Sequence, residues 1–289
     1  MITRKETASE IEYITTLRAI METYEEIASS RMQRIRSSVL QTRGFIMEIN
    51  SIFQEVKSSY RKEVEILMKK KKIRDPSKLT FISKNKKTLS VLLSANTGLY
   101  GDVVRRTFDV FSQRLRKESD DAAIVGRLGY ALFRQEFPKR QCAYFELADD
   151  KIDEIVLKQA LPFLVQYEKV IIFYPQFKNI IVQTPMAVDM SGDMLPSQGA
   201  ESEIKYFFEP SLEKILEFFE KEIFGSIVQQ LVNESQLSKF AARMVTLDNA
   251  LDNTKKRLKE TIFLRERIRH QALNKKQMEN FASISLWQK

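Results

Sequence analysis

Hydrophobic residues recur at steps of three and four at both ends of the chain and alternate in short runs between. The first run holds Ile11, Ile14, Leu17, Met21, Tyr24, Ile27 and Ala28, then Met32, Ile35 and Val39, then Ile46, Ile49, Phe53, Val56 and Tyr60. These steps lay one apolar face along a helix, with Thr7 or Ser9 placed to cap its start. The pattern returns with Leu212, Ile215, Leu216, Phe219, Ile223, Ile227 and Leu231. Phe240, Met244, Leu247, Leu251, Leu258 and Ile262 then follow at heptad-like steps, which call for a partner helix. Helices this long have no place wrapped inside a compact domain. The pattern therefore predicts that a helix over 1–72 and a helix over 206–289 pack on each other as an antiparallel coiled coil.

The middle, 73–205, reads as an α/β domain. Leu89 to Ala95 is a continuous buried strand, and Asp102 to Arg116 a helix with Val103, Val104, Phe108, Phe111 and Leu115 inward. Ala122 to Val125 and Ala143 to Leu147 are strands, Ile152 to Gln166 a helix, Lys169 to Tyr174 a strand and Asn179 to Val188 a longer one. Strands alternating with helices imply a layered, Rossmann-like domain. The last two strands form a hairpin around Gln176 to Asn179.

The helix breakers agree with this division. Every proline lies between Pro76 and Pro210; before Pro76 the only glycine is Gly44, and after Pro210 the only one is Gly225. Proline costs about 3 kcal/mol inside a helix and glycine about 1, so two nearly unbroken segments flank a punctuated one.

Composition narrows the chemistry. The 289 residues carry a formal net charge of +9, which suits an anionic partner. A single cysteine, Cys142, excludes an internal disulfide and a cysteine-built zinc site. No apolar run reaches the ~18 residues of a membrane span. The N-terminus, with Arg4, Lys5, Glu6 and Glu10, reads as neither secretory signal nor transit peptide.

Catalytic signatures are nearly absent. The one histidine, His270, lies deep in the C-terminal helical run with no second ligand at metal spacing. The segment Gly98-Leu-Tyr-Gly101 joins a strand to a helix but lacks the third glycine of a dinucleotide fingerprint; no Walker A sequence exists. It reads as a tight turn that needs glycine for its backbone, as does Gly126-Arg-Leu-Gly129. The basic run Lys69 to Lys72 with Arg74 has no interleaved aromatics, so it reads as a solvated helix end and not a nucleic-acid platform. Asp120-Asp121 and Asp149-Asp150 read as helix caps. The residues thus describe a two-helix rod carrying an α/β domain: a mechanical or interaction part.

Residues 238–245 read Ser-Lys-Phe-Ala-Ala-Arg-Met-Val, followed by Ala250 and Asn253. This resembles the C-terminal signature of the gamma-subunit family of F-type ATP synthases, Ser-Glu-x-Ala-Ala-Arg-Met-x-Ala-Met then Ala-Thr-x-Asn-Ala. Other segments follow in the family's order: Ile27 to Met32, Ser94 to Gly101, Val125 to Gly129, Phe177 to Asn179 with Val182 to Pro185, and Phe208 to Ser211. The chain departs from the pattern at Lys239, where the family has Glu, and at Asn96-Thr97, where it has Asp-Arg. It departs again from His270 to Met278, where the family's Arg-Gln-Ala becomes His270-Gln271-Ala272, its Thr becomes Lys275 and its Glu becomes Gln277.

The resemblance implies the central rotor shaft of a rotary ATP synthase or ATPase, a non-catalytic subunit present as one copy. It couples ion-driven rotation of a membrane ring to ATP synthesis or hydrolysis in an α3β3 hexamer. The partners it implies are the alpha and beta subunits, the epsilon subunit and the membrane c-ring, with no nucleic acid. ATP, ADP and Mg would reside in partner subunits and no cofactor in this chain. The setting it implies is peripheral, on the cytoplasmic face of a bacterial cell membrane. By the same resemblance Arg243, Gln271, His270 and Lys275 are rotor–stator contacts, Phe281, Ile284 and Leu286 form the rod's tip, and Tyr24 packs against the rod. Two other readings fit the same residues: a coiled-coil scaffold with a partner-binding domain, and a gamma-like shaft of a rotary ATPase that does not make ATP.

Overall fold

The structure, a computed structural model, describes residues 4–59, 85–149, 154–190 and 212–287. The chain folds as two compact units. One comprises Ser30–Ala242; the other joins Met1–Ser29 with Arg243–Lys289. The long helices α1 (Arg4–Ser59) and α5 (Leu212–Trp287) each contribute to both. The expected boundaries at 72/73 and 205/206, the basic run Lys69 to Arg74, and Tyr60 lie outside the described residues.

The larger unit is built on a five-stranded sheet in the order β3-β2-β1-β4-β5. Its strands are β1 (Thr88–Leu93), β2 (Asp121–Val125), β3 (Ala143–Phe145), β4 (Lys169–Phe177) and β5 (Gln183–Asp189). The first four are mutually parallel and β5 returns antiparallel on β4. Parallel strands need both faces covered, and the side chains divide accordingly. Leu92, Ile124, Ile171 and Phe173 face Phe108, Phe111 and Leu115 of α2 (Val103–Lys117) and Phe133 of α3 (Arg127–Glu136). Leu89, Val91, Leu93, Val170 and Ile172 face the other way, towards Leu164 of α4 (Glu154–Val165) and Val228, Leu231 and Val232 of α5. The expected strands and helices are present with shifted ends, and α3 is an addition that the sequence showed only as a glycine turn.

The hairpin differs most from expectation. β4 runs on to Phe177 and β5 begins at Gln183, so the reversal occupies Lys178 to Val182. Asn179 explains the shift: its Oδ1 accepts the N–H groups of Ile181 and Val182 at 3.0 and 2.7 Å, an Asx-type turn that withdraws them from the ladder. Pro175 faces Pro185 in the register; an antiparallel ladder tolerates this because alternate facing pairs exchange no hydrogen bond.

In the smaller unit the two helices run antiparallel. Thr254 Oγ1 lies 3.7 Å from Met21 Sδ, and Arg257 pairs with Glu10 at 2.8 Å, so positions rise along α5 as they fall along α1. The inner face of α1 takes Thr7, Ile14 and Ala28 as buried residues with Ile11, Met21 and Glu25 half-buried. That of α5 takes Leu247, Leu251, Thr254 and Thr261, with Leu258 half-buried. Two details correct the sequence reading. Tyr24, Ile27 and Ile262 are exposed, and the heptad step passes through Thr254 and Thr261 instead. Thr7 is no cap: α1 already begins at Arg4, whose carbonyl accepts the buried Thr7 hydroxyl at 2.9 Å.

Candidate functional site

The most specific side-chain arrangement in the larger unit gathers at the C-terminal end of β1, where open α/β sheets commonly hold ligands. The chain leaves β1 through Ser94 to Gly101 under close constraint. The Asp149 carboxylate accepts the backbone N–H groups of Asn96 (3.0 Å) and Thr97 (2.8 Å) and the Thr97 hydroxyl (2.8 Å). Asn96 spends its side chain twice, donating to the Leu147 carbonyl at 2.7 Å and accepting the Arg127 N–H at 3.0 Å. From α5, Lys239 donates to the Ser94 carbonyl at 2.7 Å and sits 3.9 Å from Asp149. Both charged side chains are under a tenth exposed. Burial alone would push the Asp149 carboxyl up. The Lys239 ammonium and the hydrogen bonds from Asn96 and Thr97 outweigh burial and hold it below the usual carboxylate value.

The two successive N–H groups that would cradle a phosphate are already occupied by Asp149. The turn needs glycine backbone at one of its two glycines, Gly101, and not at Gly98. Gly101 has φ 57° and the non-glycine Leu99 has φ 68°, whereas a side chain at Gly98 would meet nothing. Gly126 has φ 102°, and a Cβ there would lie 2.8 Å from the Ala95 nitrogen. At Gly129 it would lie 2.6 Å from Ser94 Cβ. These two glycines let α3 start against the 94–101 loop.

Asp120, Asp121 and Asp149 are not helix caps. Asp120 accepts from Ser90 Oγ at 2.8 Å and pairs with Arg114 at 2.7 Å; Asp121 receives the Tyr167 hydroxyl at 3.2 Å. Asp149 serves the loop, and Asp150 lies outside the described residues. What the sequence missed is the meeting of Lys239, Asp149, Asn96 and Thr97. Lys239 and Asn96-Thr97 were visible separately as departures from a pattern, but nothing in the sequence linked them to Asp149.

The expected contact residues lie in the smaller unit, and the structure separates them into two kinds. Arg243 is only 8% exposed. His270, Gln271 and Lys275 are exposed, as is every residue from Arg269 to Phe281. Gln271 and Lys275 stand one turn apart on a shared face, with His270 beside them. Phe281 is 69% exposed; Ile284 and Leu286 lie on the same helix, their side chains outside the described set. Among the described residues no cluster of three His, Cys, Asp or Glu residues is arranged to hold a metal ion, and no helix is long and apolar enough to cross a membrane.

Comparison with known proteins follows the same lines. The ATP synthase gamma chain of Pelotomaculum thermopropionicum is 26% identical over 84% of this chain and 84% of its own length. That of Halothermothrix orenii is 23% identical over 95% and 96%. Among solved structures, the central stalk and c-ring assembly of the Tetrahymena thermophila mitochondrial ATP synthase holds a chain matched with TM-score 0.57 and 21% identity, over 80% of this chain and 99% of that one. The rotor of the Euglena gracilis mitochondrial ATP synthase gives TM-score 0.53 and 12% identity, over 92% and 99%. At these identities the structural matches establish the fold. The family model described as ATP synthase matches residues 3–279, and the chain therefore belongs to that family.

Proposed function

We propose that this chain is the central rotor shaft of an F-type rotary ATP synthase, one copy per complex. The observation that carries the reading is the family match over residues 3–279 on a fold of two long helices framing an α/β sheet. In this reading the paired helices stand within an α3β3 ring of alpha and beta subunits, and the sheet unit meets the epsilon subunit and the membrane c-ring. The chain is peripheral, on the cytoplasmic face of a bacterial cell membrane.

The mechanism is conformational and not catalytic. A shaft whose faces differ binds the three beta subunits with different free energies, so each site favours a different nucleotide state. Turning the shaft exchanges those preferences, and nucleotide turnover drives the reverse. ATP, ADP and Mg are bound by the ring. The chain itself takes no nucleotide, a reading supported by Asp149 holding the loop N–H groups. The contacts with the ring fall to the exposed His270, Gln271 and Lys275, and the tip to Phe281, Ile284 and Leu286. Arg243 joins them as a contact residue that keeps most of its side chain within the fold.

Coexpression with the source organism's alpha and beta subunits tests this. One copy should join the hexamer and raise its ATP turnover. A chain that stays free, or binds without changing turnover, sinks the reading and leaves a coiled-coil scaffold in its place.

A further inference from the structure

Every residue of α5 from Leu231 to Ala242 is buried, yet Asn233, Glu234, Ser235, Gln236, Ser238 and Lys239 are polar. Hiding so many polar groups costs free energy that apolar residues would not. Their contacts reach both sides of the helix. Asn233 Nδ2 lies 3.5 Å from Ser38 Oγ of α1, Gln236 donates to the Ala148 carbonyl at 3.2 Å, and Lys239 donates to the Ser94 carbonyl at 2.7 Å beside Asp149. Phe240 adds an edge-on contact with Tyr100 at 6.4 Å between ring centroids.

Apolar burial has no preferred direction, so contacts of fixed geometry add to the angular definition that close packing gives a helix. Hydrogen bonds and ion pairs tolerate little change in angle or distance. The Lys239 ammonium faces a target that is itself fixed, because Asp149 is held by three donors from Asn96 and Thr97. We infer that this buried polar collar is a torque joint: Lys239 is a positioning residue that fixes the angular register of α5 against the sheet, so that turning one carries the other. The inference rests on the rotor reading.

The test uses the complete synthase reconstituted in vesicles, measuring ATP hydrolysis and ATP-driven ion uptake together. Lys239→Met keeps the length of the side chain and removes its charge and donors. It should leave hydrolysis near the unsubstituted rate and lower ion uptake per ATP several-fold, while Lys239→Arg recovers most of the uptake. An unchanged ratio in Lys239→Met, even with a lower unfolding temperature, overturns the joint and leaves Lys239 a structural residue. Should Lys239→Met fail to assemble, Asp149→Asn is read by the same ratio, and an unchanged value again overturns it. Failure of the unsubstituted synthase to couple would remove the rotor reading itself, an outcome distinct from a normal control with normal variants.

Discussion

At the scale of single residues, two glycines make opposite predictions. Gly126 combines φ 102° with a backbone contact of 2.8 Å for any added Cβ. Gly126→Ala should cost about 1–3 kcal/mol from backbone strain, and more if Ala95 has to move. Gly44 lies within α1, and a Cβ there meets nothing. Gly44→Ala should stabilise by up to about 1 kcal/mol. Denaturant unfolding of both variants checks the pair, and equal effects would sink the argument. Asp149 supplies a pH test. Its folded pKa is lowered, so its contribution to stability is complete above the ordinary carboxylate value of about 4 and is lost as pH falls through the lower folded value. Asp149→Asn should be less stable at neutral pH, and the gap should narrow in acid; a gap constant with pH would contradict this. The sequence offered Lys239 and Asn96-Thr97 as isolated departures and Asp149 as a cap. Their meeting depends on α5 crossing the end of β1, which no local pattern records.

At the scale of elements, what was legible followed the strength of periodicity. The long helices, β1 and β4 were plain because their apolar positions are dense and regular. α3 was hidden because it has ten residues, a glycine at its third position, and one fully buried large side chain, Phe133. The hairpin was displaced because Asn179 captures two N–H groups, a tertiary detail of one side chain. On α5 the sequence extended the apolar seam to Ile262, whereas the helix pair buries Thr254 and Thr261, whose hydroxyls bond their own helix at 2.7 and 3.0 Å. A threonine can fill a seam position once its hydroxyl has that internal acceptor. Leu251→Ala should therefore cost about 2–4 kcal/mol, and Ile262→Ala less than about 1 kcal/mol. Thermal unfolding of the two variants decides whether the threonine-containing seam is correct; a larger loss at Ile262 would restore the simpler heptad.

At the scale of the whole molecule, the end of α5 raises a question that stability alone does not answer. From Arg269 to Phe281 every residue is exposed, so among the described residues this helical stretch has no buried face. Isolated helices of this length are marginal in water and hold together mainly through packing of an apolar face. Leu273, Met278 and Phe281 nevertheless present large apolar side chains to solvent. In the free chain the amides of 270–281 should exchange with solvent far faster than those of β4, where Val170 to Tyr174 are buried. In the assembled complex the rotor reading places this stretch against the alpha and beta subunits, which would exclude water and add the missing contacts. Hydrogen exchange read by mass spectrometry should then show protection rising across 270–281 on assembly, with β4 unchanged. His270→Ala and Lys275→Ala should leave the exchange of the free chain as it is and reduce the protection gained. If 270–281 exchanges at the same rate free and assembled, the exposed helix end does not meet the ring. The contact role of His270, Gln271 and Lys275 then fails even though the family assignment stands.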